Sequence, residues 1–182
     1  MVKLSENFRR VFYYTKEGIL IWYLLTCQEQ EERRIMISCK KKLSQKALQN
    51  VFVLTYDRMR RYEGAWHLER KLLFPAHVFL ESEDEEILLD ELKKYSVITE
   101  SEKHLIRMSR EDEEFLRILC GAEHHLQMSR GVIRGGVTYV TEGPLKGMES
   151  RICKIDRHKR LARLSTLNDS IPAGLEITEK VV

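Results

Sequence analysis

The sequence predicts an α+β protein in which a ferredoxin-like α/β sandwich is followed by a small β-barrel. Three observations carry this expectation. Residues 19–120 alternate segments of helical apolar spacing with segments rich in aromatic and β-branched residues. Glycines then gather at Gly121, Gly131, Gly135 and Gly136. From residue 132 onward only short alternating runs remain, broken by turn signals. The expected organisation is an extension of unassigned role at 1–18, a first domain at 19–120, a linker at 121–131 and a second domain at 132–182.

In the first domain, a strand over residues 19–25 opens the chain. Three helix starts follow from capping boxes, in which a Ser or Thr accepts from first-turn amides and an acid three residues later reaches back: Thr26 with Glu29, Ser82 with Glu85, and Ser109 with Asp112. The first helix places Glu29, Glu31 and Glu32 at its start and Lys40, Lys41 and Lys42 near its end, as the helix dipole favours. Its apolar stripe is Ile35, Cys39 and Leu43. The second carries Leu88, Leu92 and Tyr95; the third carries Phe115, Leu116 and Leu119 and stops at Gly121. Strands are expected over residues 51–56 and 76–81, and between them the charged segment 57–71 reads as a protruding hairpin turning at Gly64. This strand and helix order is that of the split βαβ arrangement. In the second domain, strands are expected at 137–140, 151–155, 161–165 and 175–178.

Composition narrows the function. The 182 residues include 31 Lys and Arg against 28 Asp and Glu, a net charge of +3, which is too small to announce a nucleic-acid binder in bulk. The charge is uneven, because residues 128–182 hold ten basic against six acidic side chains. The longest apolar run, residues 19–25, is far short of the ~20 residues that a membrane span requires. No A-x-A-like cleavage site follows the first residues, so a cytoplasmic monomer that avoids membranes is expected. Cys27, Cys39, Cys120 and Cys153 form no C-x-x-C pair and are expected to be buried thiols.

Phosphate-binding loops, nucleophile elbows and H-E-x-x-H motifs are absent from the sequence, so no enzyme and no cofactor are expected. Cys120 with His124 and His125 could suggest a metal site, but Gly121 ends the helix that would align them. The acidic runs at 83–86 and 111–114 open helices, where first-turn acids stabilise the dipole.

One segment is more specific. An alternating strand at 137–142 enters Gly143-Pro144, a second glycine follows at Gly147, and another alternating strand leaves. This block resembles the KOW motif of SH3-like barrels, with Ser150 standing where that family usually carries a glycine. The first domain resembles the NusG N-terminal (NGN) domain independently, through Trp22-Tyr23-Leu24-Leu25 and through Phe74-Pro75-Ala76-His77-Val78, where the family usually reads Phe-Pro-Gly-Tyr-Val. The lead-in Met128-Ser129-Arg130-Gly131 and the basic stretch from Lys154 to Arg160 resemble LoaP, an antiterminator branch of the NusG family.

The resemblance implies a bacterial transcription elongation factor. Trp22, Tyr23, Phe74, Pro75 and His77 match positions that dock on the clamp helices of RNA polymerase. The resemblance further implies a face turned towards non-template DNA, for which Arg33, Arg34, Arg58, Arg60 and Arg61 are the expected contacts. Lys154, Arg157, His158, Lys159, Arg160 and Arg163 form a basic cluster suited to a nascent RNA such as a hairpin, because guanidinium forks match phosphates and base edges. Antitermination is the leading expectation. The alternatives are a housekeeping factor coupling polymerase to termination or translation, and a ribosome-associated RNA-binding protein of the KOW type.

Overall fold

In a computed structural model of the chain, residues 20–95, 105–166 and 169–179 are described. The extension expected at 1–18 lies outside them, as does the first residue of the first expected strand. The first half forms β1 (Ile21–Thr26), α1 (Glu32–Lys42), β2 (Asn50–Phe52), β3 (Thr55–Tyr62), β4 (Ala65–Leu72), β5 (His77–Ser82), α2 (Glu85–Lys94), β6 (Leu105–Arg107) and α3 (Arg110–Cys120). A four-stranded antiparallel sheet runs in the order β2-β5-β1-β6, the order of the split βαβ arrangement.

Alternation along β1 sends Tyr23 and Leu25 to one face and Trp22 and Leu24 to the other. The first face meets α1 and α2 in a core of Tyr23, Leu25, Ile35, Cys39, Val51, Val78, Leu80, Leu88 and Leu92. The second face meets α3 through Leu116, Leu119 and Cys120, and its apolar cluster continues into the second half through Val140, Leu145, Ala162, Leu164, Ile171, Ala173 and Leu175. One hydrophobic core therefore spans both halves of the chain.

Several local expectations are corrected. Thr26 is still in β1, paired with His77, and α1 begins at Glu32 after a turn in which Glu31 N–H donates to the Gln28 carbonyl. The Thr26–Glu29 box does not form. At α2 the cap is Asp84, whose side chain accepts from Glu86 and Ile87, while Ser82 ends β5 and its hydroxyl accepts from Asp84 N–H. At α3 the expected box is present, because Ser109 accepts from Asp112 N–H and donates to its carboxylate. The strand expected at 51–56 splits into β2 in the four-stranded sheet and β3 in a second sheet, ordered β4-β3-β7.

The hairpin β3–β4 turns at Glu63 and Gly64, both with positive φ (50° and 77°), which matches the type I′ turn that suits twisted strands. The stretch expected as a linker contains β7 (His125–Leu126), parallel to β3, and the start of β8 (Ser129–Arg134). Two anchors hold it. His125 Nε2 meets Asp57 Oδ1 at 2.9 Å, and Met128 N–H donates to Asp57 Oδ2 at 3.0 Å.

The second half adds β9 (Val137–Glu142), a short 3-10 turn (Glu149–Arg151), β10 (Ile152–Asp156), β11 (Leu161–Ser165) and β12 (Ser170–Glu179). These strands form a five-stranded sheet in the order β10-β11-β12-β8-β9, with β12 and β8 parallel. Gly143 (φ 91°) is required twice over, since a Cβ there would sit 2.6 Å from Ser129 Oγ and 2.7 Å from the Met128 carbonyl. Ser150 falls inside the 3-10 turn and needs no left-handed backbone, so a glycine is not required at that position. Cys27, Cys39 and Cys120 are buried as expected; Cys153 is exposed, because β10 turns it away from the core. No helix among the described residues is long and apolar enough to cross a membrane.

Candidate protein and nucleic-acid interfaces

The five residues matched to polymerase docking divide sharply. Trp22 and Tyr23 are each 1% exposed and point to opposite faces of the sheet, so neither side chain reaches solvent. Trp22 lies edge-on to Phe52 (4.9 Å between centroids) and Phe79 (5.7 Å), and its indole N–H donates to Glu81 at 3.1 Å. Burial of its apolar area and these contacts make it a core residue. Phe74 and His77 are half-buried, and Pro75 is exposed.

What remains open on that face is a strip that joins the expected Phe74 to Leu24 and Ile106, which the sequence did not single out. Phe74 packs edge-on to Phe79 at 5.5 Å, Phe79 faces Leu24 across β5 and β1, and Leu24 faces Ile106 across β1 and β6. Leu24 is only partly buried and Ile106 is 54% exposed. An accessible apolar run that crosses the sheet and ends on its edge strand β6 is the sort of feature that marks a contact surface. Leu24 could have been found from its alternation with Trp22; Ile106 lies on a strand too short to show a period.

The arginines matched to DNA also separate. Arg33 and Arg34 are exposed on α1, and Arg34 pairs with Glu31. Arg58, Arg60 and Arg61 are on β3, whose sheet packs on the face opposite α1. Alternation puts Arg58 and Arg60 on one face of the hairpin and Arg61 on the other. Arg60 lies 3.6 Å from Glu69. Arg61 is exposed and directly opposite Trp66.

The basic cluster is assembled around the turn between β10 and β11. Lys154 and Arg163 are cross-strand partners, both exposed, and Arg157, His158 and Lys159 are exposed on the turn. Asp156 organises this turn: its Oδ1 accepts from Lys159 N–H at 3.0 Å, which holds its carboxyl below the usual carboxylate range. Arg160 departs from the expected role. Its backbone is left-handed (φ 49°), its guanidinium lies 4.2 Å from the centre of the Trp66 ring, and it pairs with Glu176 Oε1 at 2.6 Å. It is therefore spent on protein contacts. Trp66 and Glu176 were not legible as its partners, since both are distant in sequence.

A second bridge joins the halves at Arg151, which pairs with Glu111 at 3.2 Å and lies over the Phe115 ring at 5.1 Å. Among the described residues, no cluster of His, Cys, Asp and Glu could hold a metal ion.

No family model and no curated protein matches the sequence. Among solved structures, one describing domain interaction in Thermotoga maritima NusG aligns with 86% of this chain and 93% of that one, at 16% identity and a TM-score of 0.49.

Proposed function

We propose that this protein is a NusG-type transcription elongation factor that docks on bacterial RNA polymerase through the Phe74–Leu24–Ile106 strip, contacts nascent RNA through its basic turn, and promotes antitermination. The observation that carries the reading is the strip itself. The rest of that sheet face is buried by α3 and by the second half, yet Leu24, Phe74 and Ile106 stay accessible beside a packed aromatic floor of Phe79, Phe52 and Trp22. Aromatic and aliphatic anchors on a rigid floor are the parts of an interface that hold most of its energy.

Trp22 and Tyr23 act from beneath, as the floor and the opposite face, while Phe74, Pro75 and His77 form one end of the contact. The exposed cations Lys154, Arg157, His158, Lys159 and Arg163 supply phosphate contacts. The function would then be to bias polymerase towards its elongation-competent state by binding that state more tightly.

The test is affinity for purified bacterial RNA polymerase. Ile106→Glu, at an exposed position, should weaken binding by about 1 to 3 kcal/mol with unchanged thermal stability, and Phe74→Ala should act in the same direction. Unchanged affinity for both variants removes the strip from the interface and with it the proposed docking.

A further inference from the structure

The sequence separates the hairpin cations from those of the second half by almost a hundred positions. The fold brings them together. The Arg160 guanidinium stacks on Trp66 at 4.2 Å and is neutralised by Glu176 at 2.6 Å, while its backbone carbonyl accepts from Leu175 N–H at 3.0 Å. Arg160 is thereby fixed at three points, and the exposed Arg157, His158 and Lys159 precede it on the same turn. On the other side of the stack, Trp66 faces Arg61 across the β3–β4 ladder, a spacing of about 5 Å between backbones. Directly opposite residues on paired strands project to the same side, so Arg61 shares the Trp66 side of the hairpin.

We propose that Arg61 and the Arg157–Lys159 turn form a single RNA-binding surface that crosses the junction between the two halves, with Arg160 on Trp66 as the positioning contact that sets their spacing. This rests on the RNA reading of the basic turn given above and extends it to a residue of the first half. A stem-loop suits such a surface, because it offers phosphates along the stem and unstacked bases in the loop within one rigid ligand. Two cationic patches held at fixed spacing engage it with less ordering cost than two patches on a flexible tether. Arg160 itself makes no phosphate contact, since Glu176 already satisfies its charge.

The test uses a fluorescein-labelled RNA stem-loop of mixed sequence, titrated with the full chain over a range of salt concentrations. Arg61→Glu should weaken binding about tenfold, the scale of one charge-assisted contact, and flatten the log-log salt slope by about 0.7 to 0.9. Arg157→Glu should do the same. Trp66→Ala should weaken binding without removing any charge, and Trp66→Phe, which keeps a ring beneath Arg160, should restore it. Thermal unfolding of each variant identifies any that fail to fold, in which case Arg61→Gln replaces the reversal. If Arg61→Glu is silent while Arg157→Glu weakens binding, the shared surface is overturned and the RNA reading of the turn survives. If both are silent, the RNA reading fails as well. If Trp66→Ala binds as well as the parent, the stack does not set the spacing. Equal affinity for a DNA stem-loop of the same sequence overturns the assignment to RNA.

Discussion

The guanidinium of Arg117 lies 4.4 Å from the centre of the Trp22 ring and pairs with two carboxylates at once, Glu81 at 2.7 Å and Glu113 at 2.8 Å. Both acids also accept from Trp22, Glu81 from the indole N–H and Glu113 from the backbone N–H at 3.0 Å. One cation thus ties α3 to β1 and β5 over the aromatic floor. All three charged side chains are no more than 14% exposed, so each depends on the others for compensation. Arg117→Met keeps the bulk over Trp22 but leaves two sequestered carboxylates without their cation. A loss of about 3 kcal/mol or more is expected, because removing one partner of a buried ion pair costs far more than the pair itself contributes. The denaturant midpoint reads it; a loss below about 1 kcal/mol would mean that water compensates both acids.

Ala76 carries the opposite opportunity. It stands where the resembled family has glycine, and its φ is 61°, in the left-handed region that costs an L-residue roughly 1 to 2 kcal/mol. The turn keeps this geometry because Ala76 N–H donates to Glu32 at 2.7 Å and its carbonyl accepts from Cys27 N–H at 2.8 Å. Ala76→Gly should stabilise the protein by about 1 kcal/mol, the relief of strain being partly offset by the freer unfolded chain. A higher melting temperature checks it, and a lower one would show that the methyl group contributes packing that outweighs the strain.

Legibility in the sequence followed the range of the interactions. The alternation of Trp22 with Leu24, the stripe Leu88 and Leu92, and the Ser109 box are local patterns, and the corresponding elements are where periodicity places them. The Thr26 box failed because Thr26 was already committed to a ladder with His77, a partner fifty-one positions away that no local pattern records. The same holds at the site. Exposed charges on the 157–159 turn were readable from composition, whereas the Arg160 contact with Trp66 and the burial of Trp22 depend on tertiary neighbours. An aromatic residue opening a strand reads the same whether it becomes an anchor or a floor, and here α3 and Arg117 decide the outcome for Trp22.

Thiol reactivity separates the cysteines. Burial pushes the Cys39 and Cys120 thiols up to about 12, which removes thiolate at neutral pH, whereas Cys153 is exposed on β10. Brief treatment with iodoacetamide at pH 8 should alkylate Cys153 and leave Cys39 and Cys120 unmodified until denaturant is added. Peptide mass mapping reads this directly, and early labelling of Cys39 or Cys120 would show that α1 or α3 opens well below the global unfolding free energy.

His124 sets the pH dependence expected near neutrality. Its ring is stacked on Phe52 at 3.6 Å and lies 6.0 Å from Trp22, and burial holds its pKa below the ordinary histidine value, with Glu81 opposing and Arg117 reinforcing that shift. The unfolded chain therefore binds a proton at a higher pH than the folded one. Stability should be full above the ordinary value of about 6.5, decline as pH falls through it, and stop declining on this account below the folded pKa. One proton bounds the slope at about 1.4 kcal/mol per pH unit. The depressed carboxylates Glu69, Glu91 and Asp156 act lower, their contributions being lost below the usual carboxylate range. The two limbs are therefore separable. His124→Asn tolerates the left-handed backbone at this position (φ 52°) and has nothing to titrate. Urea midpoints measured from pH 7.5 to 5 should fall for the parent chain and stay nearly level for the variant, even though losing the stack on Phe52 lowers its stability at every pH. Parallel curves for the two proteins in this window would assign the dependence to another group.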